Sequence, residues 1–236
     1  MRHAMVVGAL LWCGAAMAQT PLALLRQVES SLAPGSFTAL YEFTNHRLDG
    51  TVGKYRVRFQ IRDADHVFGV FERPEREKGR EILRVEDALW TFIPSVGRSL
   101  RIADRDSFAG GDFSNADVLR VDWSARYDVR LAKETVNQWI LDLTAKPKAE
   151  ATYARMRLWI GKHDTQPVQQ NFYDSNGTLL KQCRYGAAQR FGAVTRPALL
   201  EMENVITGQK TVLRVLELRP GETFEATRFA VDRLGK

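Results

Sequence analysis

The sequence lacks disulfides, paired metal ligands and apolar runs long enough to cross a membrane. It holds two cysteines in 236 residues, Cys13 and Cys183. Cys13 falls in a stretch with the layout of a secretory signal: Arg2 and His3, the apolar run Ala4 to Trp12, then Ala16-Met17-Ala18. Cleavage after Ala18 makes Gln19 the first mature residue. Cys183 is then alone, no intramolecular disulfide can form, and the core by itself must hold the fold. A competing reading makes Cys13 the lipid-bearing cysteine of a lipoprotein, but Trp12 stands where such cleavage sites want a small residue. No later segment approaches the roughly 20 apolar residues of a spanning helix, so the mature chain is expected to be soluble and exported.

Histidine is scarce as well. His46, His66 and His163 of the mature chain stand far apart and without paired ligand spacing, so neither a metal nor any other cofactor is expected. Asp104-Arg105-Asp106 opens like a calcium loop, but Phe108 takes the third acidic position and no glutamate closes it. Ser107 and Ser114 lack a Gly-x-Ser-x-Gly context, and Cys183 lies in a strand-like run with no oxyanion loop. No catalytic residue is therefore expected. The formal charge of +6 is spread along the chain without a basic run, which argues against a nucleic-acid partner.

What is present is alternation. After one amphipathic helix at Pro21 to Leu32, with Leu22, Leu25, Val28 and Leu32 on one face, the apolar period changes to two. In Tyr55 to Arg62, Tyr55, Val57, Phe59 and Ile61 alternate with Arg56, Arg58, Gln60 and Arg62, a strand with one dry and one wet face. Similar runs recur as far as Thr211 to Leu218, about ten in all, with turn sequences such as Asp174-Ser175-Asn176-Gly177 between them. The expected fold is mainly β, a single domain over 19–236 built on one large curved antiparallel sheet. A membrane-inserted barrel is disfavoured, because the faces opposite the apolar ones carry Arg56, Arg58, Arg62, Arg155 and Arg157.

Two features could carry function. About ten strands and one or two helices leave a wide apolar concavity with little to cover it, which a hydrophobic ligand can fill. Tyr55, Val57, Phe59 and Ile61, with Trp90 and Phe92, are its candidate wall, chosen by alternation. The second is Ser107 to Asp117, SFAGGDFSNAD, which has the composition of an active-site loop and equally of a turn.

Leu89 to Asp117 resembles the outer membrane lipoprotein-sorting protein family of Gram-negative bacteria, relatives of the periplasmic lipoprotein carrier LolA. In that family a Leu-Trp-x-Tyr-x-Pro strand leads to an arginine-rich strand and then to Gly-x-Asp-Phe-Ser. Here the positions are Leu89, Trp90, Phe92, Pro94, then Arg98 and Arg101, then Gly111, Asp112, Phe113, Ser114 and Asp117. Tyr153 to Ile160, Gln170 to Leu180 and Pro197 to Met202 extend the likeness over most of the mature chain. Phe92 replaces the family's tyrosine, and Gly-Gly-Asp its Gly-Ser-Asp. The resemblance implies a half-open, incomplete β-barrel with an N-terminal helix and short lid helices, holding acyl chains or another lipidic cargo in the periplasm. It implies as partners an inner-membrane exporter or an outer-membrane acceptor, and a monomer is expected. In this reading SFAGGDFSNAD is structural: its glycines allow a tight path, Phe113 packs inward, and Ser114 caps a short helix at Ala116 to Arg120 with Asp117 at its positive end.

Two rivals stand beside the carrier. One is an adaptor whose concavity is filled by its own side chains and which docks through Arg56, Arg58 and Arg62. The other is a hydrolase built on Asp104, Asp106, Asp112 and Asp117.

Overall fold

Thr20 starts the first element of the computed structural model, which describes residues 19–236. Its hydroxyl accepts the Ala23 N–H at 3.2 Å, Pro21 supplies a preset φ, and α1 (Pro21–Leu32) follows. The signal expected at 1–18 lies outside the described residues. The buried face of α1 is Leu24, Leu25, Val28 and Leu32. Leu22, which the spacing placed on that face, is 37% exposed, and Leu24 stands in its place.

Strands make up most of the rest. The first half of the chain gives β1 (Phe37–His46), β2 (Val52–Asp63), β3 (His66–Arg73), β4 (Glu81–Val85), β5 (Ala88–Ile93) and β6 (Arg98–Ile102). Two short helices, α2 (Asn115–Leu119) and α3 (Trp123–Arg126), come next. Then follow β7 (Tyr127–Glu134), β8 (Gln138–Ala145), β9 (Arg155–Gly161), β10 (Pro167–Tyr173) and β11 (Leu179–Tyr185). The chain continues through β12 (Ala188–Phe191), β13 (Val194–Pro197), β14 (Leu199–Asn204) and β15 (Lys210–Pro220).

Thirteen of these strands form one antiparallel sheet in the order β6-β5-β4-β3-β2-β1-β15-β14-β11-β10-β9-β8-β7, while β12 and β13 pair as a separate hairpin. The chain's first and last strands, β1 and β15, meet in the middle. Its two free edges are β6 and β7, consecutive strands joined by the segment that carries α2 and α3. The sheet is therefore an incomplete barrel whose open seam is crossed by its own connecting helices.

Register shows which side chains share the inner face. Ile61 of β2 lies opposite Phe37 of β1 and Val67 of β3, and Phe59 opposite Ala39 and Gly69. Leu213 of β15 pairs with Phe43 on one side and Leu200 of β14 on the other. Gly69 cannot be larger, because a Cβ there would lie 2.7 Å from the Phe59 ring. Tyr55, Val57, Phe59 and Ile61 all join the main core with α1 and the lid residues Val118 and Leu119.

Trp90 and Phe92 do not. Ile82 pairs with Thr91 and Arg84 with Leu89, so Leu89 and Thr91 are the inward residues of β5. Trp90 and Phe92 point outward into a second cluster with Phe68, Leu83, Phe229 and Leu234. Alternation identifies two sets of side chains on a strand but not which set faces inward. The C-terminal segment beyond β15 crosses this outer surface: Arg228 stacks on Phe68 at 4.0 Å and the Gly235 N–H donates to Glu81 at 2.8 Å.

Candidate functional site

Beneath α2, at one end of the concave face, lies a cavity of about 260 Å³. Its walls come from the end of α1 (Leu32, Ala33), the start of β1 (Phe37, Tyr41), the end of β2 (Ile61), α2 (Val118, Leu119), Val121, Trp123 and the far strands (Leu200, Leu213). Polar groups enter at Arg62, Asp63, Asp117, Tyr185 and Arg196. The volume is slightly below the roughly 300–1,000 Å³ of typical small-molecule pockets.

Of the six side chains expected to form the wall, Ile61 lines this cavity. Tyr55, Val57 and Phe59 lie on the same inner face but are sealed, because the SFAGGDFSNAD segment fills the trough over them. Phe108 stacks on Phe71 with centroids 5.9 Å apart, and its ring lies 4.8 Å from Phe43 and 6.1 Å from Phe59. Phe113 adds an edge contact to Phe43 at 6.4 Å.

The segment is held from both sides. Ser114 accepts the Asp117 N–H at 3.2 Å while the Asp117 carboxylate accepts the Ser114 N–H at 2.8 Å, a reciprocal cap that starts α2 at Asn115. Asp112 donates its N–H to Thr211 Oγ1 at 2.9 Å, and Asn45 donates to the Ala109 carbonyl at 2.9 Å. A Cβ on Gly111 would lie 2.6 Å from Asn45 Oδ1 and 2.7 Å from Thr211 Oγ1, so glycine is required there by contact with the strands below. Pro94 lies at the β5–β6 turn, its ring 3.6 Å from where a Cβ on Gly79 would be.

Beyond α2 the lid is tied down by charge. Arg120, almost wholly buried, donates to Asp87 at 3.0 Å and pairs with Asp65, which lie in the hairpins at the β4–β5 and β2–β3 turns. Arg126 reaches the same Asp87 at 3.0 Å and Asp122 at 3.0 Å. Arg84, fully buried on the inner face of β4, pairs with Asp104. Arg84 gave no signal in the sequence because a charged residue in a strand run reads as wet, and Arg120 and Arg126 because their partners come from distant hairpins.

The titratable groups around the cavity are shifted by burial and engaged by neighbours. Burial pushes the Asp117 carboxyl above its usual range even though Lys181 and three hydrogen bonds pull it down; the residue is partly exposed but the carboxyl is enclosed. Burial likewise raises Asp112 and takes the Tyr127 hydroxyl up to about 12. Tyr153, Tyr185 and the Cys183 thiol are also driven up by burial. They stay protonated and act as donors, and the thiol is inert. Asp117 is engaged by Ser114 and by the Tyr153 hydroxyl at 2.8 Å, Asp112 by Thr211 at 3.0 Å, and Asp104 by Arg84. Among the described residues no group of three or more His, Cys, Asp and Glu side chains could hold a metal ion.

A family model described as "Uncharacterized protein" matches residues 63–236. The chain belongs to that family. Its fold is that of the LolA superfamily: it is similar to a LolA superfamily protein from Nitrosomonas europaea with a TM-score of 0.82 and 24% identity, over 91% of this chain and 99% of that one. It is similar to a putative outer membrane lipoprotein-sorting protein domain from Vibrio parahaemolyticus with a TM-score of 0.76 and 21% identity, over 91% and 97%. A DUF1329 family protein from Desulfovibrio piger gives a TM-score of 0.79 and 21% identity, again over 91% and 97%. No curated protein matches the chain. The half-open LolA-type barrel implied by the motif around Trp90 and Asp112 is thus the fold found.

Proposed function

We propose that the protein is a non-catalytic periplasmic carrier, exported by cleavage after Ala18, that holds the acyl chain of a lipoprotein or other lipid and passes it towards the outer membrane. The observation that carries this reading is the apolar cavity beneath α2, bounded by a lid that is a connection between the two sheet edges rather than part of the sheet. The LolA-type fold agrees with it. An inner-membrane donor and an outer-membrane acceptor are the partners such a carrier needs.

Magnitudes favour a lid that moves. Taking roughly 30 Å³ per methylene-sized group, the volume share of a liquid water, the cavity holds about nine. At about 0.8 kcal/mol each that is roughly 7 kcal/mol before the cost of ordering the chain. A longer or second chain needs the trough now occupied by Phe108 and Phe113. Those rings pack where cargo would lie, so self-packing offsets part of the gain and cargo stays releasable.

The adaptor reading loses its basic docking face. Arg56 is paired with Glu42 at 2.8 Å, Arg58 with Glu72 at 2.6 Å and Glu217 at 3.1 Å, and Arg62 with Asp63 at 3.1 Å. The test of the carrier is uptake of a fluorescent fatty acid by the mature protein and by Ile61→Trp, which fills the cavity. Wild type should take up the probe and the variant should lose at least about tenfold in affinity, with folding cost held near 1–3 kcal/mol. Equal uptake by both contradicts binding in this cavity.

A further inference from the structure

Arg196, on β13, is 3% exposed and borders the cavity. Its guanidinium is used unevenly. Nε donates to the Pro197 carbonyl at 3.3 Å, and Nη1 to the Leu32 carbonyl at the end of α1 and to the Tyr41 hydroxyl at 3.3 Å. Nη2 donates to nothing among the described residues, and it is not among the sealed nitrogens that lack a partner. Arg196 itself stands in the wall of the cavity.

Every partner of Arg196 is neutral, and no carboxylate among the described residues comes within 4.0 Å of it. The other buried arginines, Arg84 and Arg120, each have carboxylates. A guanidinium cannot shed its proton to escape an apolar setting, and a buried charge is costly without an opposite one. The acidic groups of the same wall are otherwise engaged: Asp117 with Ser114 and Tyr153, Asp63 with Arg62 and His66. The cavity is thus apolar along Ile61, Val118 and Leu213, with one uncompensated cation in its wall.

We propose that this cavity selects a single-chain amphiphile ending in a carboxylate, the fatty-acid class, with Arg196 as its counter-ion. The inference rests on the carrier reading and deepens it by naming the head group. The volume supports one chain with a compact head, and the free Nη2 can donate a charge-assisted hydrogen bond to a carboxylate oxygen.

The test compares decanoate, 1-decanol and decyl phosphate by calorimetry on the mature wild-type protein at pH 8, where the carboxylate is ionised. Decanoate should bind at least about tenfold more tightly than decanol, and at least as tightly as decyl phosphate. Arg196→Gln should bring decanoate down to the level of decanol while decanol is unaffected, and Arg196→Lys should retain part of the preference. Equal affinity of wild type for decanoate and decanol overturns the proposal while leaving the carrier intact. Tighter binding of decyl phosphate overturns the carboxylate assignment, and binding of none of the three overturns both the proposal and the carrier. Because the head-group comparison is made on wild type, it stands even where removing Arg196 from the Leu32 carbonyl unfolds the variant.

Discussion

The Tyr153 hydroxyl donates to the carboxylate of Asp117 at 2.8 Å, joining the strand β9 side of the barrel to the first turn of the lid. Burial holds that carboxyl above its ordinary value of 3.8. A carboxyl raised in the folded state contributes stability below its unfolded pKa and loses it as pH rises through the folded one. Asp117→Asn removes this titration. The stability of the variant relative to wild type should therefore improve between pH 3.5 and pH 7, measured by urea unfolding at both. A change in wild type's favour contradicts the assignment.

The outer cluster makes a separate prediction. Phe229 packs against His66 at 5.9 Å and Phe224 at 6.0 Å, and belongs to the cluster that contains Trp90 and Phe92. Phe229→Ala should cost about 3 kcal/mol or more and shift tryptophan emission to the red, while fatty-acid affinity stays unchanged. Loss of affinity would put Trp90 and Phe92 back on the cargo side.

How far the sequence is legible differs between elements for physical reasons. β2 is readable because its outer face is charged, so Arg56 and Arg58 contrast with Val57 and Phe59. β5 is ambiguous because both its faces are covered, one by the main core and one by the C-terminal segment. β1 alternates as well, with Phe37, Ala39, Tyr41 and Phe43 buried and Thr38, Glu42 and Thr44 half-buried, but Leu40 breaks the pattern where the register shifts between Leu40 and Tyr41. β6 escapes periodicity as an edge strand with nearly every residue exposed. The cap at Ser114 and Asp117 is local and readable, whereas Arg196 meets Leu32 across 164 positions and only the fold brings them together.

Asp87 ties down the lid through Arg126 and Arg120, whose hydrogen bonds hold its carboxyl below the ordinary value of 3.8. A lowered carboxyl contributes stability above its unfolded pKa and loses it as pH falls through the folded one. At pH 7, Asp87→Asn should raise amide hydrogen exchange across 120–126 and speed probe uptake relative to wild type. The difference between the two proteins should shrink as pH falls through the lowered folded-state pKa of Asp87, below which its carboxyl is neutral like the amide. A difference that persists there, or none at pH 7, removes Asp87 from the latch.

Phe59 and Ile61 share a face but not a role. Phe59 is sealed beneath Phe108 and over Gly69, so Phe59→Ala should cost about 3–5 kcal/mol. Phe59→Glu, which places an unpaired charge there, should fail to fold rather than lose cargo selectively. Ile61→Trp should keep the fold and lose cargo. Circular dichroism melts beside uptake assays separate the two, and a well-folded, cargo-free Phe59→Glu protein would mean the trough is open where Phe108 now lies.

The most direct test of the carrier is native mass spectrometry, with organic extraction, of the exported protein purified from a Gram-negative periplasm without detergent. The account predicts an acyl-bearing molecule at near-unit ratio, displaced in Ile61→Trp. A protein that arrives empty and also refuses added fatty acid would contradict it.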